Sequence, residues 1–154
     1  MAAYRILRPD DARTLAMLHA RGIENPWSPA SFRAELSKSS VLGLGMISAL
    51  QTDQMISFIV FQRVLETAEI LTLVTEPDHR RQGVATAVLN AGLDHLRERG
   101  VTRCELDVAA DNVAAIQFYQ RIGFSKDGRR SQYYKRQAQS RVDAVLMSLD
   151  MSGH

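Results

Sequence analysis

Residues 79–88 read HRRQGVATAV, and the rest of the chain can be ordered around them. Just before them, ILTLVT (residues 70–75) has the apolar, β-branched composition of a buried strand. Just after, Val84, Val88, Leu89, Gly92, Leu93 and Leu96 recur at helical spacing, and Gly100 stands where a left-handed residue ends a helix. The stretch is therefore a tight turn between a strand and a helix. That puts Arg80 and Arg81 at a helix N-terminus, where unpaired N–H groups carry roughly half a positive charge and disfavour a cation by about 0.3–1 kcal/mol. A bound anion removes the conflict. The backbone N–H groups of Arg81 to Thr86 point outward in such a turn, and Gly83 lets a ligand approach, so the pattern predicts an anion site, in which a pyrophosphate would neutralise the arginines. A Walker loop is excluded because no Gly-Lys-Ser/Thr is present, and one glycine cannot make the three-glycine dinucleotide fingerprint. In isolation, RRQG would read as solvated turn residues.

Working outward toward the N-terminus, AEILTLVT, MISFIVFQRV and VLGLGMISAL are three extended stretches, with QTDQ between the last two as a hairpin turn. Before them, NPWSPASFRAEL supplies Ser28 as an N-cap and Pro29 as the first residue of a short helix. Asp10 and Asp11 are placed to cap an earlier helix that runs to about Arg21, preceded by a strand YRILR. Toward the C-terminus, VTRCELDVA is a strand, and Asp111 or Asn112 caps a helix VAAIQFYQRI that stops at Gly123. Phe124 opens another extended piece, and a polar loop SKDGRRSQYYKRQAQSR leads to a last strand VDAVLMSL. The order is a helix pair and a meander, then strand, helix, strand, helix, strand.

A chain of 154 residues with no repeat or linker is expected to be a single domain over residues 1–154. A formal charge of +2 argues against a dedicated nucleic-acid binder. Cys104 is the sole cysteine, so no internal disulfide forms, and MAAYRILRPDDA has no apolar signal core. A cytoplasmic location is expected. The histidines His19, His79, His95 and His154 have no metal-ligand spacing, so no metal is expected.

Arg80-Arg81-Gln82-Gly83-Val84-Ala85 resembles the Q/R-x-x-G-x-G/A signature of the GNAT superfamily of acetyl-coenzyme-A-dependent N-acetyltransferases. Asn112, Ala115, Ile116, Phe118, Tyr119, Gly123 and Phe124 are similar to the helix and turn that flank the coenzyme's thiol end in that superfamily. Asn25-Pro26-Trp27-Ser28 with Phe32 and Leu36, the segment AEILTLV, and RRSQYYKR followed by Asp143-Ala144 and Met147 resemble the RimI type within it. That type acetylates the N-terminal amine of a small-subunit ribosomal protein. The resemblance implies an α/β (α+β) fold, a mixed central sheet of about six to seven strands flanked by about four helices. It implies acetyl-CoA as co-substrate, with Leu73, Val74 and Thr75 pairing their backbone with the pantetheine arm as a strand pairs with an edge. Arg81, Gln82, Gly83, Val84, Ala85 and Thr86 would hold the pyrophosphate, and Asn112 would reach the coenzyme with its amide.

Acetyl transfer to an amine needs a base, a place for the carbonyl oxygen's charge, and a proton for the departing thiolate. Asp107 is the candidate base, on a strand whose alternation sets Leu106 and Val108 on one side and Glu105 and Asp107 on the other. The RimI type has glutamate at this position, so the arm here is one methylene shorter. Its structural reading is a carboxylate that caps or pairs with an arginine. Tyr119 matches the family's acid; without the motif it would read as a core aromatic. Glu69 is a second candidate base, because alternation sets Glu69, Leu71 and Leu73 on one face. Trp27 is expected to shape a peptide groove, and Tyr133 and Tyr134 resemble loop tyrosines that clamp a peptide N-terminus; otherwise they are surface aromatics. Cys104 has no histidine partner that would make it a nucleophile. The acceptor is a protein N-terminus or, as the alternative, a small-molecule amine such as a polyamine, amino acid or aminoglycoside. From a different class, the domain could bind the coenzyme without catalysis; the presence of Asp107 and Tyr119 argues against this.

Overall fold

The run MISFIVF, residues 55–61, offers apolar side chains to both faces of a strand, so both faces require cover. The computed structural model, which describes residues 3–48, 54–135 and 141–153, provides it. One seven-stranded sheet contains β1 (Ala3–Ile6), β2 (Val41–Ile47), β3 (Met55–Val64), β4 (Thr67–Thr75), β5 (Arg103–Ala109), β6 (Ser125–Lys135) and β7 (Arg141–Asp150), in the order β1-β2-β3-β4-β5-β7-β6. Among the described residues only the β4–β5 pair is parallel. Helices α1 (Ala12–Gly22) and α2 (Pro29–Leu36) cover one face, where Phe58 and Val60 cluster with Leu15, Leu18 and Phe32. On the other face Ile59 and Phe61 cluster with Leu89 and Leu93 of α3 (Val84–Glu98) and Ile116 of α4 (Val113–Ile122). This is the expected mixed sheet flanked by four helices.

Several helix ends follow their local signals. Ser28 Oγ accepts the Ser31 N–H at 3.1 Å with Pro29 next in line, and Asn112 Oδ1 accepts the Ala115 N–H at 3.2 Å. Gly100, at φ +83°, follows α3 as expected. The start of α1 differs: Asp11 holds the N-cap position, but its carboxylate accepts the Arg8 N–H at 2.8 Å and pairs with Arg5 at 2.7 Å. A 3-10 turn over Pro9–Asp11 precedes the helix and turns that side chain back toward the first strand.

Two further expectations are corrected. The polar stretch from Ser125, expected as a loop, forms β6 through Lys135, with Tyr133 and Tyr134 on it. An edge strand needs only the backbone groups of β7 to pair with, so it carries no apolar alternation for a sequence reading to detect. The expected QTDQ turn, apart from Gln54, lies outside the described residues, as do residues 136–140. In β4, Val60 pairs with Thr72 and Phe61 with Ile70, so Leu71 is a bulge residue. Glu69, Leu71 and Leu73 therefore do not share a face: Leu71 packs with the α1–α2 cluster and Leu73 with the α3 cluster. The extra residue reverses the alternation.

Candidate active site

The β4–β5 ladder pairs Thr67 with Arg103, Ala68 with Cys104 and Glu69 with Glu105. Among the described residues no rung follows, although β4 runs on to Thr75 and β5 to Ala109. The bulge at Leu71 bends β4 away from its parallel neighbour at this point. A cleft of about 620 Å³ fills the opening, with Leu71, Thr72 and Leu73 on one lip and Leu106, Asp107 and Val108 on the other. Ladder bonds alternate along a strand. Glu76 donates its N–H to the Ile56 carbonyl at 2.7 Å, so Val74, two residues back, bonds to β3, and Leu73 and Thr75 turn their N–H and C=O groups into the opening. Val74 is consistent with this: its carbonyl accepts the Ser57 hydroxyl at 2.8 Å on the β3 side.

A second cleft of about 380 Å³ continues along the same edge, lined by Thr75, His79, Arg80, Arg81, Gly83, Val84, Ala85, Thr86, Phe118 and Arg121. Of residues 81–86 only Gln82 is outside the lining. The α3 N-cap, Gly83, is left-handed at φ +76°, and Arg81 also has a positive φ of +63°. An arginine in that conformation is uncommon. A Cβ built on Gly22, at the C-terminal end of α1, would lie 3.2 Å from Arg80 Nη2 and 2.5 Å from Val74 Cγ2. Arg80 thus lies against a helix C-terminus, which favours a cation, and this relieves part of the conflict its own helix creates.

Asp107, half-buried, lines the first cleft together with Tyr119 and Asn112. The predicted alternation holds, with Leu106 and Val108 buried toward α3. The Tyr119 ring packs edge-on against Phe118 and Phe124, with centroids 5.1 and 5.5 Å away, so it is both a packed aromatic and a cleft residue. Burial, and then the neighbouring Cys104 and Tyr134, push its phenol above the usual value, so it holds its proton at neutral pH. Asn112 spends its side-chain carbonyl on the α4 cap. Burial pushes the Cys104 thiol up to about 12, which leaves it protonated and inert.

The other candidates divide. Tyr134 lines the first cleft and donates its hydroxyl to the Asp107 carbonyl at 3.1 Å, whereas Tyr133 is exposed under the Arg130 guanidinium, 4.5 Å from the ring centroid. Glu69 lies outside both clefts, and burial, then Asp107 and Glu105, raise its carboxyl above the usual range. Trp27 lines the first cleft and donates its backbone N–H to His19 Nδ1 at 2.9 Å. His19 was not anticipated. Its Nε2 bonds Thr72 Oγ1 at 2.8 Å, and burial pushes it down to about 4, so it is neutral and ties the segment before α2 to the bulged strand. A signal existed: His19 is one turn after Leu15 on the apolar face of α1, where a polar side chain needs a partner. Among the described residues no group of three or more His, Cys, Asp or Glu could hold a metal, and no helix is long and apolar enough to cross a membrane.

The acetyltransferase (GNAT) family model matches residues 8–124. The chain is 33% identical to the ribosomal protein bS18-alanine N-acetyltransferase of Escherichia coli (strain K12) over 127 residues, 82% of each chain. It is 32% identical to that of Salmonella typhimurium over 152 residues, 99% of each. The crystal structure of the ribosomal-protein-S18-alanine N-acetyltransferase from Escherichia coli matches with a TM-score of 0.91 at 30% identity, covering 100% of this chain and 96% of that one. Arabidopsis thaliana NAA60 in complex with acetyl-CoA shares the fold, with a TM-score of 0.86 at 20% identity over 99% of this chain and 100% of that one. The free edge of β4 adjoins the second, arginine-lined cleft. By sequence and by architecture, the chain belongs to the GNAT family of acetyltransferases.

Proposed function

We propose that this protein transfers the acetyl group of acetyl-CoA to the N-terminal α-amine of a ribosomal protein in the cytoplasm, as a single domain. The observation that carries the chemistry is that Asp107 and Tyr119 line one cleft, which the free edge of β4 joins to the anion cleft. The acceptor is supported by near full-length identity to enzymes named for the alanine of bS18.

An α-amine has a pKa near 8, so at neutral pH most of it is protonated and unreactive. Asp107 takes that proton, directly or through one water, and the water makes up for the methylene it lacks relative to the family's glutamate. Glu69 is the reserve base; its raised pKa suits proton transfer, but it stands outside the cleft. The charge on the acetyl oxygen falls to a backbone N–H of β4 near Val74, with Leu73 and Thr75 the residues whose N–H groups face the opening. Tyr119 gives its proton to the departing thiolate; burial that raises the phenol raises the thiol beside it too, which keeps donor and acceptor matched. Leu73 to Thr75 and Arg81 to Thr86 hold the coenzyme, with Asn112 at its thiol end. Trp27 and Tyr134 flank the peptide, and Tyr133 lies at the outer margin.

A small-molecule amine is the second reading, favoured by Glu24, Asp107 and Asp111, whose carboxylates line the cleft and suit a cation. The test incubates the protein with acetyl-CoA and a peptide beginning with alanine, the same peptide blocked at its N-terminus but carrying a free lysine, or spermidine. A gain of one acetyl group on the free N-terminus alone supports the proposal. Thiol release with spermidine alone moves the assignment to the second reading.

A further inference from the structure

Just past the end of β4 a buried carboxylate stands behind the arginine-lined cleft, in contact with one of its lining residues, His79. Glu76 is 3% exposed. Its Oε2 accepts the Asp78 N–H at 2.8 Å and lies 3.1 Å from His79 Nδ1, while Oε1 pairs with Arg21 Nη2 of α1. The His79 hydrogen bond leads the contacts that hold this carboxyl below the usual range, so it is ionised at neutral pH. An ionised carboxylate only accepts, so the proton of this bond sits on His79 Nδ1. His79 lines the second cleft beside Arg80, Arg81 and Gly83, and with Nδ1 committed to Glu76 its Nε2 is the nitrogen left for a ligand. A phosphate oxygen is also an acceptor, so Nε2 can meet it only by carrying a proton of its own.

We propose that His79 is an additional phosphate ligand for the coenzyme, acting as an imidazolium held by Glu76, and that coenzyme binding draws a proton from solvent onto Nε2. This rests on residues 81–86 being the pyrophosphate cradle. The charged groups around the ring are Glu76 at the end of β4, Asp78, Arg80 and Arg81 in the turn, Arg21 of α1 and Arg121 of α4. The four guanidinium groups oppose a further positive charge while the cleft holds no anion. Pyrophosphate offsets them, so protonation and binding assist each other.

The test is calorimetric titration of the protein with 3′-dephospho-acetyl-CoA near neutral pH, in two buffers of different ionisation enthalpy. The dephospho form removes the phosphate monoester, whose own second ionisation near 6 would add protons to the balance. Wild type is expected to take up part of a proton on binding. His79→Gln, which keeps an amide donor but cannot titrate, is expected to take up less and to bind on the order of threefold to tenfold more weakly, the gap widening as pH falls. Glu76→Gln is expected to reduce the uptake with the ring still present. Equal proton uptake and parallel pH dependence in wild type and His79→Gln overturn the proposal. Arg81→Ala, titrated alongside, separates the two readings. If it weakens binding while His79→Gln does not, the cradle stands and His79 is excluded from it; if neither variant changes binding, both fail.

Discussion

His19 makes the stability of this protein depend on pH over a defined window. The ring is 1% exposed, its Nδ1 accepts the Trp27 N–H, and burial lowers it from 6.5 to about 4. In the unfolded chain the imidazole takes a proton as pH falls through about 6.5, while in the folded protein it resists until about 4. Between those values the unfolded state binds more protons. The stabilisation is therefore complete above the unfolded value and is lost as pH falls toward the folded one. At about 1.36 kcal/mol per pH unit, the interval amounts to about 3 kcal/mol, a large part of a typical domain's 5–15 kcal/mol. Urea unfolding of wild type and His19→Gln between pH 7.5 and 4.5 measures it. Glutamine can still reach Thr72 but leaves the Trp27 N–H without its acceptor, so the variant should be about 1–3 kcal/mol less stable at pH 7.5. By pH 4.5 that gap should have closed, because only wild type has an imidazole to protonate. Glu76, held below the usual carboxylate range, gives up its own contribution only at lower pH, which keeps the two effects apart. Parallel stability curves for the two proteins across this window would refute the argument.

Two further outcomes are expected. Tyr119→Phe should lower kcat on the order of a hundredfold while the affinity for acetyl-CoA, measured by calorimetry, stays nearly constant, because the phenyl ring keeps its packing on Phe118 and Phe124 and only the proton donor is lost; equal loss of both would remove Tyr119 from the acid role. Gly22→Ala should lower thermal stability although alanine is the better helix former: its Cβ would stand 2.5 Å from Val74 Cγ2, and overpacking of this kind costs about 1–3 kcal/mol. An unchanged or raised Tm would show that Val74 moves aside at no cost.

The parts of the site that the sequence disclosed are those built from neighbouring residues. Ser28 caps from within its own turn, Asn112 does the same three residues before Ala115, and Gly100 ends α3 in the left-handed conformation. The parts it hid depend on distant partners. Leu71 is ordinary in composition, and only pairing with Val60 and Phe61 makes it a bulge. Lys126, Arg129 and Arg130 lack any strand-like pattern, yet β7 offers them an edge. Asp11 had two possible uses for its carboxylate, and the nearby Arg5 and Arg8 decided which prevailed. Arg81 at φ +63° was also illegible, since glycine is the residue that a sequence reading would put in that conformation.

The hidden irregularities and the legible motif meet along one edge of one strand, and there is a physical reason for this. Without the bulge, β4 and β5 would pair to their ends, and every backbone group between Ile70 and Thr75 would be used inside the sheet. With it, the ladder stops at Glu69, and Leu73 and Thr75 hold N–H and C=O groups that only solvent or a ligand can satisfy. On the opposite lip β5 is already paired with β7 from Arg103 to Ala109, so that strand stays fixed while the gap stays open. The protein therefore carries an unfilled strand position, with a carboxylate and a phenol at one end and the arginines Arg80, Arg81 and Arg121 at the other. The coenzyme of the proposed reaction, an extended chain with amides along its length and phosphates at its end, would satisfy both sets of groups at once. That is why the turn at residues 79–88, read alone, could have been only a solvated loop, and why its meaning depends on the bulge at Leu71.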